Sequence, residues 1–315
     1  MNRTNLALFI LLFLSSYASA DSWTPPKGLQ QIPVWPSGAK VLSGGIQELS
    51  PEQVKNTKFT TNVRIPTYTV FRPKTNNGGA ALIVFPGGGH TVLAMELEGT
   101  EICRRFNQAG ITCILVKYRV PYSGCYYDSK TRKHVTPPVP MALQDAQRVI
   151  STIRHDAAKY DINPRRIGVT GFSAGGNVTV LSSTRFKDRS YEPVDEIDKV
   201  SCRPDFSIPV YPGHTTMEHK NKRPREVAAQ ELNTDIPISN DIPPTLVIHA
   251  ADDDINPVHY SDVYVRELKK AGVYVKYKRY RQGGHAFGVR KTGVDSDQWV
   301  EAVLSWLRGM GFIRS

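Results

Sequence analysis

Ile167-Gly-Val-Thr-Gly-Phe-Ser-Ala-Gly-Gly176 is the stretch on which the fold turns. Arg166 to Thr170 reads as a β-rich apolar strand, and the residues after Gly175 can begin a helix. Between them lies Gly171-Phe-Ser173-Ala-Gly175, a G-x-S-x-G pentapeptide. A serine projected from so tight a strand-to-helix turn needs small neighbours two residues away on either side, because strand and helix approach closely there. Such a serine also sits at a helix N-terminus, where the backbone dipole favours developing negative charge. A pentapeptide of this kind also arises by chance in loops, so its weight comes from the strand and helix that flank it.

Outward from this turn, strand and helix signals alternate. Ala80 to Phe85 is a short apolar run ended by Pro86 and three glycines. Glu98 to Gln108 carries Ile102 and Phe106 on one helical face, with Gly110 as the stop. Thr112 to Val116 is β-rich, and a long irregular stretch comes next. Met141, Ala146, Val149, Ile150, Ile153 and Ala157 then mark one face of a long helix. Phe206 to Val210 and Thr245 to His249 read as strands. Asn256 with Pro257 predicts a helix cap and first turn, and Tyr274 to Tyr280 reads as the last strand. Trp299, Val303 and Leu307 stripe the final helix. This alternation predicts an α/β fold with a mostly parallel central sheet and helices on both faces.

The ends of the chain have other signals. Arg3, the apolar run Leu6 to Leu14 and Ala18-Ser-Ala20 predict a secretory signal peptide over residues 1–20, cleaved after about Ala20. The run is too short to span ~30 Å of hydrocarbon as a helix, so no stable membrane insertion is expected. The mature chain of about 295 residues is ample for one large core. Residues 21–62, rich in Pro and Gly, predict an extended lead-in, and residues 63–315 a single catalytic domain. The expected location is secreted or periplasmic, and no oligomeric state is read from the chain.

The formal charge is +11, from 40 Lys and Arg against 29 Asp and Glu. It is dispersed, apart from the groups at Lys130 to Lys133 and Lys220 to Arg225, so no nucleic-acid partner is expected. Four cysteines in an exported chain permit disulfides, and four allow three connectivities. Cys103 falls in a helical pattern and Cys113 in a strand pattern, both suited to buried free thiols. Cys125 and Cys202 fall in loop-like sequence and are the expected bridge. No spacing of Cys and His suggests a zinc site, and neither a metal nor another cofactor is expected.

Three further segments carry chemistry. Pro86-Gly87-Gly88-Gly89-His90 comes directly after a predicted strand, and its glycines allow backbone N–H groups to converge on one point. Acyl transfer needs such donors for the oxyanion of its tetrahedral intermediate. A dinucleotide phosphate loop would instead need G-x-G-x-x-G opening a helix, a spacing absent here. His285, in Gly283-Gly-His-Ala-Phe-Gly288, lies after the last strand on a glycine-rich loop. Asp252-Asp253-Asp254 lies after the strand ending at His249. It suits a solvated capping loop as well as an acid that orients His285. The order Ser, Asp, His differs from those of the two well-known serine protease folds.

From about Ala80 to its end the chain resembles the bacterial carbohydrate-esterase branch of the α/β-hydrolases, which includes acetylxylan-esterase-like and feruloyl-esterase-like proteins. The residues that carry the resemblance are Phe85-Pro-Gly-Gly-Gly-His90, Ala142-Leu-Gln-Asp-Ala-Gln147, Ile167 to Gly176, Arg203-Pro-Asp-Phe206, Pro243-Pro-Thr245, His249-Ala-Ala-Asp-Asp253 and Gly283 to Gly288. The resemblance implies Ser173 as nucleophile, His285 as general base and Asp253 as its orienting acid. Composition leaves the three aspartates open; the spacing of four residues from His249 points to Asp253. It further implies oxyanion donors at the N–H groups of Gly88, Gly89 and Ala174, and a polysaccharide or small-ester substrate, acetylated or feruloylated xylan.

This chain has more material between Tyr118 and Pro138 than that family commonly has, and Pro212 to Asp241 lies where such enzymes place cap elements. Aromatic residues in the first stretch, such as Tyr122, Tyr126 and Tyr127, are suited to stacking on sugar rings or to packing the loop down. Two other readings are a prolyl-oligopeptidase-type serine peptidase and a non-catalytic adhesion domain. The length leaves no room for the large propeller of the well-known peptidases, and the adhesion domains usually lack a triad member, whereas none is missing here.

Overall fold

The computed structural model describes residues 23–39, 59–120, 126–128, 133–135, 141–216 and 231–314. The signal segment, Cys125, and the basic groups at 130–132 and 220–225 lie outside the described residues. In chain order the strands are β1 (Ile32–Pro33), β2 (Thr67–Phe71), β3 (Ala81–Phe85), β4 (Thr112–Lys117), β5 (Tyr126–Asp128), β6 (Lys133–Val135), β7 (Ile167–Phe172), β8 (Phe206–Val210), β9 (Thr245–Ala250) and β10 (Val275–Tyr280). The helices are α1 (Glu101–Gln108), α2 (Met141–His155), α3 (Ala174–Thr184), α4 (His259–Lys270) and α5 (Trp299–Gly309).

Eight strands form one sheet in the order β1-β2-β4-β3-β7-β8-β9-β10, and β5 and β6 form a separate hairpin. From β4 to β10 every pairing is parallel, while β1 and β2 join antiparallel at one edge. Strands β3, β4, β7, β8 and β9 are buried at every residue. Burial on both faces is why they read as unbroken apolar runs rather than as alternations. Successive side chains leave a strand on opposite faces, and β9 shows both. Val247 packs with Leu143, Val180, Tyr264 and Leu268 of α2, α3 and α4, whereas Leu246 and Ile248 join the cluster that includes Trp299, Val303 and Leu307 of α5. The sheet is therefore covered by helices on both sides, as expected.

Residues 23–39 run into this core. Trp23, Val34 and Trp35 are buried, and the Trp35 indole N–H donates to Asp145 Oδ1 at 2.8 Å. Asp145 is wholly buried, and it also pairs with the guanidinium of Arg119 at 2.8 Å. No helix of the described residues is long and apolar enough to cross a membrane.

Four expectations are corrected. Cys103 and Cys113 are joined, with Cα atoms 5.2 Å apart, and Cys202 is a buried free thiol, so the bridge from Cys125 to Cys202 does not form. The turn between α1 and β4 folds the helix directly back over its own next strand, which brings two residues ten apart into bonding range. Asn256 does not cap a helix: α4 begins at His259 after Val258, and the Asn256 amide is used elsewhere. The irregular stretch after Tyr118 contains the β5–β6 hairpin, and the helix expected from Glu98 opens as a π-turn over Glu96–Thr100 before α1.

Candidate active site

The four segments singled out in the sequence all lie at carboxyl ends of strands: the glycine loop after β3, Ser173 after β7, Asp253 after β9 and His285 after β10. In open parallel sheets this edge is where ligands bind. Backbone strain gathers there too. Among the described residues, seven other than glycine have positive φ, and five of them, His90, Ser173, Tyr211, His214 and Ala286, lie on these loops or on the loop after β8. Each such conformation costs of order 1–3 kcal/mol and persists only where surrounding structure enforces it.

Ser173 has φ 54° and ψ −116°, a sharp elbow between β7 and α3. The glycines flanking it are required by packing. A Cβ on Gly171 would lie 2.1 Å from the Gly175 carbonyl oxygen, and one on Gly175 would lie 2.0 Å from the Phe85 carbonyl oxygen. The second contact also shows that β3 ends directly against the elbow.

The elbow delivers the hydroxyl to His285, with Ser173 Oγ 3.0 Å from Nε2. On the far side of the ring, Nδ1 is 2.7 Å from Asp253 Oδ2. A carboxylate can only accept, so Nδ1 carries the proton and Nε2 is left as the acceptor facing the serine. Asp253 is fixed in turn: its Oδ1 accepts the N–H groups of Ile255 at 2.9 Å and Asn256 at 2.8 Å. His249, which is fully buried, approaches Oδ2 at 3.3 Å. The Nε2 of His249 also meets the Asn256 carbonyl at 2.9 Å, so this nitrogen bears the proton, and Nδ1 lies 2.8 Å from Ser261 Oγ. Burial pushes the Asp253 carboxyl upward, but the hydrogen bonds from His249 and His285, the His285 charge and the Asn256 N–H outweigh it and hold the group at about 2. The other two aspartates are exposed. Asp252 accepts the N–H groups of Gly283 and Gly284 at 3.3 and 2.8 Å, which ties down the loop that carries His285.

The glycine loop curls so that Gly88 O accepts from both Thr91 and Val92 N–H at 3.0 Å. Gly88 and Gly89 have φ of 135° and 61°. Among the described residues, no acceptor engages the N–H of Gly88, Gly89 or Ala174, and Ala174 is the first residue of α3, whose N–H has no intrahelical partner. His90 closes the loop with its Nε2 3.3 Å from Asn177 Oδ1 on α3.

Some contributors were not read from the sequence. Asn256 donates through Nδ2 to the Tyr211 carbonyl at 2.8 Å, and reaches Ser173 Oγ at 3.5 Å. The Tyr211 ring lies against those of His285 and Phe287, with centroids 4.9 and 4.7 Å away. Glu98, wholly buried, accepts from Gly87 N–H and from the Tyr211 hydroxyl, each at 2.8 Å. For Asn256 the Asn-Pro pair was a visible signal that pointed to a cap. Tyr211 and Glu98 had no local signal. No group of three or more His, Cys, Asp or Glu able to hold a metal occurs among the described residues.

Fold and site together define an α/β-hydrolase. The chain belongs to the prolyl oligopeptidase family, whose model matches residues 142–310, more than half of its length. The BD-FAE family model matches residues 70–208. An acetylxylan esterase of Xylanibacter ruminicola is 27% identical over 250 residues, 75% of this chain and 46% of the relative. Esterase LipQ of Mycobacterium tuberculosis is 26% identical over 244 residues, 72% of this chain and 54% of the relative. The chain thus spans about half the length of these curated relatives. Among solved structures it is similar to an acetyl ester-xyloside bifunctional hydrolase from Caldicellulosiruptor lactoaceticus, with a TM-score of 0.67 and 28% identity, covering 90% of this chain and 97% of that one.

Proposed function

We propose that the protein is an exported serine esterase that removes acetyl groups from xylan-type polysaccharides. The observation that carries the reading is the continuous relay from Ser173 Oγ through His285 to Asp253, at 3.0 and 2.7 Å. His285 takes the hydroxyl proton through Nε2 as Ser173 Oγ bonds to the ester carbonyl carbon. The N–H groups of Gly88, Gly89 and Ala174 receive the oxyanion. As the intermediate collapses, the sugar oxygen leaves with the proton from His285 and an acyl-serine remains. A water molecule, deprotonated by the same nitrogen, then attacks the acyl carbon, releases the acid and restores Ser173. Asp253 stays ionised throughout, holding the productive tautomer and stabilising the imidazolium.

Support for the acyl group and polymer comes from the relatives, one an acetylxylan esterase and one an acetyl ester-xyloside hydrolase. Support for export comes from residues 1–20, and an exported enzyme meets polymers too large to enter a cell. Net positive charge adds a salt-sensitive attraction to uronate-bearing chains. The test is kcat/KM for p-nitrophenyl acetate, butyrate and octanoate, with acetate and ferulate release from xylan. Ser173→Ala should abolish hydrolysis while leaving the fold intact, and a fluorophosphonate should label Ser173. A preference for octanoate, or ferulate release without acetate, would overturn the acetyl assignment. Activity retained in the alanine variant would overturn the mechanism.

The family match favours a second reading, a serine peptidase acting after proline. Cleavage of a prolyl p-nitroanilide at a rate above that of the acetyl ester would select it.

A further inference from the structure

Glu98 is a buried carboxyl group that the esterase mechanism leaves without a part. It lies on the π-turn Glu96–Thr100, a local widening that often marks a functional site. Burying a carboxyl group is unfavourable unless its oxygens find donors. Here each oxygen has one: Oε2 accepts from Gly87 N–H and Oε1 from the Tyr211 hydroxyl. The donors come from opposite sides of the nucleophile. Gly87 lies just after β3 and Tyr211 just after β8, the two strands that flank β7.

The carboxylate also lies against the elbow. A Cβ built on Gly87 would meet Glu98 Oε2 and the Phe172 carbonyl oxygen at 2.6 Å, and Ser173 Cβ at 2.9 Å. With the Gly87 N–H drawn back into the protein, the peptides of Gly88 and Gly89 start from a fixed point beside Ser173. On the other side, the hydroxyl tie sets the Tyr211 ring against His285. Burial raises the Glu98 carboxyl above its ordinary value, opposed by the bonds from Tyr211 and Gly87 and by nearby His285.

We propose that Glu98 is a positioning residue: its carboxyl group clamps the glycine loop and the Tyr211 ring across the elbow, so that oxyanion donors and general base keep one geometry relative to Ser173. The role rests on the esterase reading for its substrate, but not for its test. The rate of fluorophosphonate labelling at Ser173 uses the same relay and donors whatever the natural ester is.

The experiment measures that rate, and kcat and KM on p-nitrophenyl acetate, for the full chain and for Glu98→Ala, Glu98→Gln and Tyr211→Phe. Glu98→Ala should lower kcat and labelling by ~10²-fold, the scale of one lost oxyanion donor, with KM within about 3-fold of wild type. Glu98→Gln should stay within about 10-fold of wild type, because its amide accepts from Gly87 through oxygen and donates to Tyr211 through nitrogen. Tyr211→Phe should lose about 10-fold in kcat with KM unchanged.

A folded Glu98→Ala with wild-type kcat, a loss confined to KM, or a Gln variant as impaired as Ala would overturn the proposal. Should Glu98→Ala not fold, wild-type rates in Tyr211→Phe would overturn it instead. A labelled Ser173 without ester hydrolysis would defeat the esterase reading alone, and the labelling rates would still decide Glu98. A wild type that is never labelled would defeat both.

Discussion

Replacing Asp253 by asparagine changes one atom, and the geometry specifies what that atom does. The carboxylate has two distinct sides. Oδ1 accepts two backbone N–H groups, from Ile255 and Asn256, while Oδ2 faces His285 Nδ1 at 2.7 Å and His249 Nε2 at 3.3 Å. An amide places its oxygen toward the two N–H groups, because the reverse would set its NH2 against both of them, whereas the His249 proton still has the Asn256 carbonyl to bond. Its NH2 then points at His285 and drives the ring into the tautomer with its proton on Nε2. That proton faces Ser173 Oγ, and the base is gone. The loss expected for a triad held in the wrong tautomer is ~10⁴ in kcat, or about 5–6 kcal/mol of transition-state stabilisation. KM for p-nitrophenyl acetate should change little, and circular dichroism should report an intact fold. Asp252→Asn is the control one residue away. Its amide oxygen still accepts from Gly284, so kcat should stay within about 10-fold of wild type. A crippled Asp252→Asn beside an active Asp253→Asn would refute this account of the relay.

Other consequences are as direct. His249→Phe puts a slightly larger ring in a fully buried site and removes both nitrogens that meet the Asn256 carbonyl and the Ser261 hydroxyl, so urea unfolding should show a loss of about 2–4 kcal/mol; unchanged stability would contradict the buried network. The Asp253 carboxyl is held at about 2, below the ordinary ~3.9 of an unfolded chain. The folded state therefore takes up this proton less readily than the unfolded one. The stability it adds, on the order of 2 kcal/mol, is present above about pH 4 and disappears as pH falls through about 2. Asp253→Asn should flatten that part of a stability–pH curve, and a variant curve parallel to wild type would exclude it. Peptide mapping without reductant should recover Cys103 linked to Cys113 with Cys202 free. Replacing both linked cysteines by alanine should cost about 2–3 kcal/mol, the scale for closing a loop of this length; Cys103 found alkylated would count against the bond.

The central sheet was legible in the sequence because its strands are apolar on both faces, so that β3, β4, β7, β8 and β9 stand out as short hydrophobic runs between glycine and proline punctuation. The edge was not. Thr67 to Phe71 owes its place as β2 to antiparallel pairing with β4, where Val70 faces Ile114 and Tyr68 faces Val116, a partnership more than forty residues distant. Two-residue β1 exists only through pairing with β2. The disulfide was misread for a related reason. Residue context assigned Cys103 and Cys113 to a helix and a strand correctly, but context says nothing of how a turn stacks one upon the other.

The same division between local and distant constraint governs the site. The elbow, the glycine loop and the loop at His285 are each tight turns that need glycine at fixed positions, and that need leaves a local signature such as the glycines flanking Ser173 even where the crowding neighbour is distant. The Asp253 carboxylate is a middle case: the N–H groups that orient it come from two and three residues ahead, yet three adjacent aspartates share that composition. The spacing from His249 pointed to the middle one, and the meeting of β9 and β10 at one edge is what places it against His285. Glu98 and Tyr211 lie 113 residues apart, and neither carries a local pattern that sets it apart from a helix-surface carboxylate or a core tyrosine. Groups that perform a step in the chemistry are thus marked by the turns that hold them, whereas groups that hold two such turns together are marked only by distance. For that reason an asparagine read as a helix cap lies one hydrogen bond from the nucleophile, and a glutamate read as the start of a helix is joined to it through Tyr211 and that asparagine.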